Sequence, residues 1–353
     1  MISELTASPK LYIGIDIHKK TWSVSMRTDL FDHKTFSIPP DSHNLFHYVE
    51  SHFRCHEVHV TYEACCCGFV AARDFLNFGW RVTVVNPADV PTSDKHHYQK
   101  TDSIDSRHLC KQLSLGNLRP IYIRTEQEDL LRSLLTQRDQ ITKQLRKVKT
   151  HIKSFLLLHG IQVPEEYDNS NWSKGFISWL KCLEWTHSTG LISLQSKLRS
   201  LEFHHKEYLL IGNELRSYCR KYHKKDYYLL KSIPGIGGFL SAAIIAELGD
   251  IRRFQNESQL ASYIGIIPGI RQSGNSETKL GITPRSRELL RSYLIEAAWI
   301  AIRKDPEIQS YYRKHAHKNP KSVIVKVAHK MVRRILSIIK QEKTYEINTN
   351  QKD

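Results

Sequence analysis

The sequence predicts an α/β domain, then a coiled-coil region, then a mostly helical C-terminal domain, and three observations carry that prediction. Residues 1–125 alternate short β-rich runs with amphipathic segments, residues 126–224 carry apolar side chains every seven positions, and residues 225–345 show glycine-punctuated apolar runs at helical spacing. Residues 346–353 form a polar tail.

In the first region, Leu11 to Ile17 is a β-rich run ending beside the carboxylate of Asp16. Trp22–Arg27 and Lys34–Ile38 give two further strands. Asp41-Ser42 caps a helix over 42–54, with Leu45, Phe46 and Val49 on one face. Glu57–Tyr62 alternates like a strand and runs into Glu63, a helix follows from Phe69 to Phe78, and Gly79 stops it. Arg81–Val85 is the next strand, ended by Asn86-Pro87, and a last helix begins around Asp102 with Ile104, Leu109 and Leu113 inward. The order is three strands, helix, strand, helix, strand, helix.

Lys and Arg number 52 against 36 Asp and Glu, a net charge of +16 with nineteen histidines neutral, which points to a polyanionic partner. A composition of 40% hydrophobic and 25% charged residues is that of a globular chain rather than a disordered one. No apolar run approaches the roughly 20 residues of a membrane span, and Met1–Lys10 has no signal-peptide core, so a cytoplasmic protein is expected. The seven cysteines include the run Cys65-Cys66-Cys67 but no paired C-x-x-C spacing of a zinc site, and they read as free thiols in a reducing compartment.

Asp102 and Asp105 stand three apart at a helix start and share one face. Taken alone, such a pair is a solvated first turn. In an α/β sheet, however, strand ends and the loops beyond them converge on one crevice, which would bring Asp16 and Glu63 to the same place. Two like charges about 4 Å apart repel by roughly 4 kcal/mol at an effective dielectric near 20, and a divalent cation relieves that cost. Four carboxylates are a hard-oxygen set suited to Mg²⁺ or Mn²⁺, and two such ions about 3.5–4 Å apart serve phosphoryl transfer.

From Glu128, Leu131, Arg138, Leu145 and Ile152 form one seven-residue series, and Leu134, Ile141, Val148 and Phe155 the other. Lys143, Arg146, Lys147, Lys149 and Lys153 lie outside this seam, either as a solvated face or along a nucleic-acid backbone. Residues 160–175 read as a loop. From Leu191 the heptads resume at Leu194, Leu201, Tyr208, Leu215 and Tyr222, giving an antiparallel pair or a dimerisation arm whose register Arg138 and His205 would help set.

In the last region, Ile233-Pro234-Gly235-Ile236-Gly237 before an apolar run resembles a helix-hairpin-helix turn, in which Gly235 and Gly237 let backbone N–H groups approach a phosphate; the alternative is a plain glycine turn. A polar loop then runs through Gly281. A basic helix from Pro284 carries Arg285, Arg287 and Arg291 on its exposed side, and a final helix spans about 322–339. The tail after Lys340 reads as loose.

Together, Gly-Ile-Asp16-Ile-His-Lys, Tyr-Glu63-Ala, Asn86-Pro87, Lys-Thr-Asp102-Ser-Ile-Asp105-Ser, Ile-Pro-Gly-Ile-Gly and Gln-Ser273-Gly resemble the DEDD transposases of bacterial insertion sequences. These are relatives of the Piv/MooV DNA invertases and are also known as bridge-RNA-guided recombinases. The resemblance covers residues 11–340 in order and spacing. It implies a RuvC-like N-terminal domain of RNase H fold, a coiled-coil insert and a C-terminal transposase domain with a catalytic serine. Carried over, Asp16, Glu63, Asp102 and Asp105 are the four metal-binding acids and Ser273 the nucleophile. Cys65-Cys66-Cys67 departs from the shorter turn common in the family.

The resemblance further implies DNA donor and target, a guide RNA from the element's non-coding end, a homodimer or tetramer, and a bacterial, nucleoid-associated setting. A serine needs activation to attack phosphorus. In the expected reaction Ser273 forms a phosphoserine link and frees a 3′-hydroxyl, the acids hold Mg²⁺ at the phosphate, and Arg271 and Lys279 assist with its charge, in a site that could be shared between protomers. Two rival readings are a two-metal structure-specific nuclease of the junction-resolvase kind, with Ser273 only shaping a loop, and a non-enzymatic nucleic-acid-binding protein.

Overall fold

A strand buried almost throughout, β1 (Lys10–Ile17), organises the first of two compact units, Met1–Asp129 and Leu130–Asp353. The computed structural model describes residues 8–91, 101–169, 171–273, 276–282, 286–317 and 319–347, with backbone alone for 268–273 and 276–282. In the first unit β1 pairs antiparallel with β2 (Trp22–Thr28) and parallel with β4 (Glu57–Glu63). β3 (Asp32–Ile38) and β5 (Arg81–Val85) complete a five-stranded mixed sheet of order β3-β2-β1-β4-β5.

Helices α1 (Ser42–His52) and α2 (Val70–Asn77) are the crossovers that make the parallel pairs possible. Asp41 caps α1 through the His43 amide at 2.9 Å, as its position before an amphipathic run implies. Leu45, Val49, Ala72 and Phe75 of these helices bury against Leu11, Ile13, Ile15, Val60 and Tyr62. Helix α3 (Asp102–Ser114) packs against β1 and β2 at Gly14, Ser23 and Ser25. Central strand β1 is therefore covered on both faces and reads as a near-continuous buried run.

The second unit is helical apart from one pair of strands. Helix α4 (Glu126–Leu158) starts two residues ahead of the expected Glu128, because Thr125 and Glu128 form a reciprocal capping box: the Thr125 amide donates to Glu128 Oε2 at 2.9 Å and the Glu128 amide to Thr125 Oγ1 at 3.2 Å. Helix α6 (Ser188–Tyr222) returns along it within the same chain. Ile141, Leu145, Ile152 and Leu156 meet Leu194, Leu198 and Leu201, with Phe176 and Leu180 of α5 (Lys174–Lys181) closing one end.

Arg138 behaves as the seam residue the heptads imply. Its guanidinium carbon lies 4.2 Å from the Tyr208 ring centroid and 3.6 Å from that of Phe239. His205 does not: it is exposed, although the seven-residue series places it in line with buried Leu198, Gly212 and Cys219, and its ring lies stacked 6.5 Å from that of Tyr208. Of the basic face, Lys143 pairs with Asp139 at 2.8 Å and Lys153 approaches Asp168 at 3.6 Å, while Arg146 and Lys147 are exposed.

The C-terminal helices are α7 (Lys224–Lys231), α8 (Gly238–Leu248), α9 (Glu257–Ile264), α10 (Glu288–Lys304), α11 (Pro306–His315) and α12 (Pro320–Gln341). Every residue of α8 from Leu240 to Leu248 is buried, so this short apolar helix is the centre of the core. Two expectations are corrected here. Residues 268–273 and 276–282 are paired antiparallel strands, β6 (Pro268–Ser273) and β7 (Ser276–Ile282), instead of part of a polar loop. The described chain after Lys340, as far as Ile347, is pinned, not loose: the Tyr345 amide donates to Ser232 Oγ at 2.8 Å and its hydroxyl to Asp305 Oδ2 at 2.6 Å. No described helix is long and apolar enough to cross a membrane.

Candidate metal centre

Strand periodicity puts the acids on one side of the first sheet. Ile13 and Ile15 face the α1/α2 core, so Gly14 and Asp16 face the opposite side, toward α3. Ile15 is in register with Tyr62, so Glu63 is one step on, on the neighbouring strand beside Asp16 and on the same face. Parallel neighbours of this kind are about 4.8 Å apart along the hydrogen-bonding direction.

Gly14 decides how α3 meets this face. A β-carbon there would lie 2.2 Å from the Ser106 carbonyl oxygen and 2.4 Å from the Cys110 amide nitrogen, so only glycine admits the helix. Ser106 is anchored beyond it, its Oγ 3.2 Å from Ser23 Oγ and 2.8 Å from Ser25 Oγ, and Cys110 donates from Sγ to the Tyr12 carbonyl at 3.2 Å. With α3 seated so, its first residue, Asp102, projects beside the end of β1, and Asp105 follows one turn later.

Ligand atoms of Asp16, His18 and Asp102 lie within 4.8 Å of one another. His18 Nε2 is 3.2 Å from Asp16 Oδ2 and 3.6 Å from Asp102 Oδ1. The sequence motifs alone do not single out His18, which stands just beyond β1 inside the Asp16-Ile-His motif, two positions from Asp16. Burial raises the Asp16 carboxyl above the usual carboxylate range, the charges of Asp102 and Asp105 add to the rise, and His18 opposes it. A half-buried carboxylate crowded by two others is a site that gains from a cation, and oxygen donors with one imidazole fit a hard or borderline divalent ion.

The turn after Glu63 is closed by the Gly68 amide on the Cys65 carbonyl at 3.2 Å and by Tyr62 Oη donating to the Gly68 carbonyl at 3.0 Å. The three cysteines of the run are free thiols, Cys65 and Cys66 exposed and Cys67 half-buried, and burial raises the Cys67 thiol to about 11.

The remaining candidates belong to the second unit. Ser273 is the last residue of β6, its backbone opposite Ser276, and Arg271 and Lys279 stand on facing strands, opposite Thr278 and Ile270. The side chains of Arg271, Ser273 and Lys279, and the whole of Arg285, lie outside the described residues. Gly235, at φ +93°, packs so closely that a β-carbon would come 2.4 Å from the Ala297 carbonyl, whereas Gly237 faces open space at the N-cap of α8. Arg287 and Arg291 are half-buried rather than on an open face. Arg287 stacks 4.9 Å from the Tyr263 ring and lies 3.4 Å from buried Glu247, which Arg132 approaches from α4 at 3.2 Å; a carboxylate inside an apolar helix requires such cations. Arg291 lies 3.8 Å from Glu288.

Comparison with known proteins adds the family. A DEDD transposase model of the IS110 type matches residues 13–161, and one described as "Transposase IS116/IS110/IS902 family" matches residues 227–313. The chain belongs to the IS110-type transposases. The first match contains all four acids and the second contains Ser273, Gly235, Gly237 and the arginines. The y4qE protein of Sinorhizobium fredii is 25% identical over 242 residues, which cover 69% of this chain and 58% of the relative. The transposase for insertion sequence element IS1111A of Coxiella burnetii is 26% identical over 251 residues, 69% of this chain and 66% of its own length. The chain thus spans about three fifths to two thirds of these two relatives. The pilin gene-inverting protein of Moraxella lacunata is 23% identical over 354 residues, covering 96% of this chain and 98% of the relative.

Proposed function

We propose that this chain is a transposase that moves an insertion sequence by site-specific recombination, with its N-terminal unit a RuvC-like RNase H fold. The observation that carries the reading is the convergence of Asp16 and Asp102 on His18 at the end of β1, inside the segment matched to the DEDD transposases. The strand order β3-β2-β1-β4-β5, with Asp16 and Glu63 at the ends of adjacent parallel strands, supports the fold assignment.

Asp16, His18 and Asp102 would hold a divalent ion, Mg²⁺ or Mn²⁺, with Glu63 and Asp105 on the same face to complete its oxygen donors. Bound there, the ion would supply positive charge against the negative charge that builds on a phosphate under attack. Ser273 is the nucleophile in this reading. Its Oγ adds to phosphorus as its proton leaves, the P–O3′ bond breaks, and the freed 3′-oxygen takes up a proton, leaving a phosphoserine and a 3′-hydroxyl. Attack by a 3′-hydroxyl of the exchanged strand reverses the step, so the number of phosphoester bonds is conserved and no nucleotide cofactor is consumed. Arg271 and Lys279 meet phosphate charge, and the backbone at Gly237 together with Arg285, Arg287 and Arg291 contributes to the nucleic-acid surface. Donor and target DNA, a guide RNA from the element's flank and a dimer or tetramer are the partners of this reaction.

A two-plasmid recombination assay with the flanking RNA supplied tests it, comparing wild type with Ser273→Ala and Asp102→Asn. Recombination by the wild type, with a covalent protein–DNA adduct that Ser273→Ala loses, is the expected result. Cutting retained by Ser273→Ala and abolished by Asp102→Asn would replace this reading with a metal-dependent nuclease. Wild-type protein that binds DNA but never cleaves it over a range of Mg²⁺ would leave a binding protein.

A further inference from the structure

Beside helix α3 the first unit carries a feature that the metal centre does not use. A cavity of about 590 Å³ opens between α3 and strands β2 and β3, and none of the four acids lines it. Its floor is made of hydroxyls: Ser25 Oγ, on a side chain buried to 2% exposure, lies 2.8 Å from Ser106 Oγ and 2.8 Å from Thr35 Oγ1. Its cations are Arg27 from the strand and Arg107 and Lys111 from the helix, while Lys34, also in the lining, carries its ammonium 4.9 Å from the Phe36 and Tyr48 rings on the other face of the sheet. Asp32 is the carboxylate among the lining residues, and it is engaged by Arg27 Nε at 3.1 Å.

Two details show that the walls are shaped. The β2–β3 register shifts between Met26 and Arg27, with Met26 opposite Lys34 and Arg27 opposite Asp32, so His33 is an extra residue and the bulge re-aims the side chains around it. Arg107 and Lys111 are exposed and one helical turn apart, an arrangement in which like charges repel until an anion lies between or beside them. Cations on two facing elements above a hydroxyl floor match a run of phosphate oxygens, which accept from both.

We propose that this trough holds the phosphodiester backbone of a nucleic-acid strand, as a binding site separate from the metal centre. The inference rests on the reading that the chain works on nucleic acid, and its test reads binding without any cleavage. Affinity of the full chain for short single-stranded RNA, single-stranded DNA and duplex DNA is measured by fluorescence anisotropy from about 50 to about 200 mM salt, for wild type and for Arg107→Gln/Lys111→Gln. Removing two phosphate contacts lowers the slope of log affinity against log salt by roughly 1.4 on single strands and 1.8 on duplex, so the variant should lose roughly seven- to twelvefold less affinity over that range than the wild type. A change confined to the RNA arm assigns the trough to RNA, one confined to a DNA arm to DNA, and either supports it. An unchanged slope in all three arms overturns the trough while leaving the recombinase reading standing, and a wild type that binds none of the three overturns both. Thermal melting of the variant checks its fold, and if it melts early the single exposed change Lys111→Gln is read instead.

Discussion

A β-carbon on Gly14 would stand 2.2 Å from the carbonyl oxygen of Ser106, so the seat of helix α3 on β1 depends on the absence of one methyl group. Because Asp16 is two residues along the strand and Asp102 one turn back along the helix, the same contact sets how the two carboxylates meet. Gly14→Ala is expected to cost about 1–3 kcal/mol by overpacking. It should also weaken Mn²⁺ binding, since α3 must shift to accept it. Urea unfolding and Mn²⁺ electron paramagnetic resonance check the pair of effects, and a stability loss with unchanged Mn²⁺ affinity would separate packing from the site.

Asp16 carries a raised carboxyl, first through burial and then through Asp102 and Asp105. The folded state then holds its proton to higher pH than the unfolded chain does, so this group subtracts stability as pH rises through its folded-state value. Asp16→Asn should accordingly raise the melting temperature of the metal-free protein at neutral pH. Added Mg²⁺ should raise the wild-type melting temperature and leave that of the variant in place. A variant that melts lower than wild type without metal would contradict the crowding of the three acids.

Gly235 and Gly237 belong to one turn but separate cleanly. Gly235 combines φ +93° with a blocked β-carbon position, so Gly235→Ala should destabilise the C-terminal core by about 1–3 kcal/mol. At Gly237 nothing lies within 4 Å of the added carbon and φ is −85°. Gly237→Ala is expected to unfold at the wild-type denaturant midpoint, within about 1 kcal/mol. A loss of DNA affinity in Gly237→Ala then reports on phosphate approach alone, which filter binding reads directly.

Arg138 is buried between the Tyr208 and Phe239 rings, with Gly212 leaving room for its Nε 3.2 Å from where a β-carbon would stand. Arg138→Ala should cost about 2–4 kcal/mol, through lost stacking and a void. Arg138→Lys should recover only part of it, because an ammonium cannot stack as a planar guanidinium does. Equilibrium denaturation decides, and full recovery by lysine would mean that charge alone matters there.

Asp305 joins three elements: it caps α11 through the Glu307 and Ile308 amides, pairs with Arg334 at 2.6 Å and accepts from Tyr345. Burial by itself would raise its carboxyl, but the Tyr345 hydroxyl, the Ile308 amide and Arg334 outweigh it and hold it below the usual range. Its contribution is present above the pKa of the unfolded chain and is lost as pH falls through the depressed folded value. Asp305→Asn should therefore cost about 2–3 kcal/mol at neutral pH and show a flatter loss of stability on acidification. Parallel pH-stability curves for the two proteins would remove Asp305 from the acid response.

What could be read from the chain itself follows from period and sign. A strand repeats every two residues and a helix every 3.6, so Leu11–Ile17, Glu57–Glu63 and the heptads of α4 announce themselves, and carboxylates at strand ends in a cationic chain point to a phosphate-handling site. Local capping is legible too, at Asp41 and in the spacing of Thr125-x-x-Glu128. Tertiary packing decided the rest, because it depends on residues distant in sequence. Only the fold brings His18 between Asp16 and Asp102, turns His205 outward while burying Arg138, draws Arg287 from an expected open face toward the carboxylate of Glu247, and pins Tyr345 on Asp305. A single sequence shows which side chains can ionise; which of them must share a low-dielectric space is set by the surfaces that close over them.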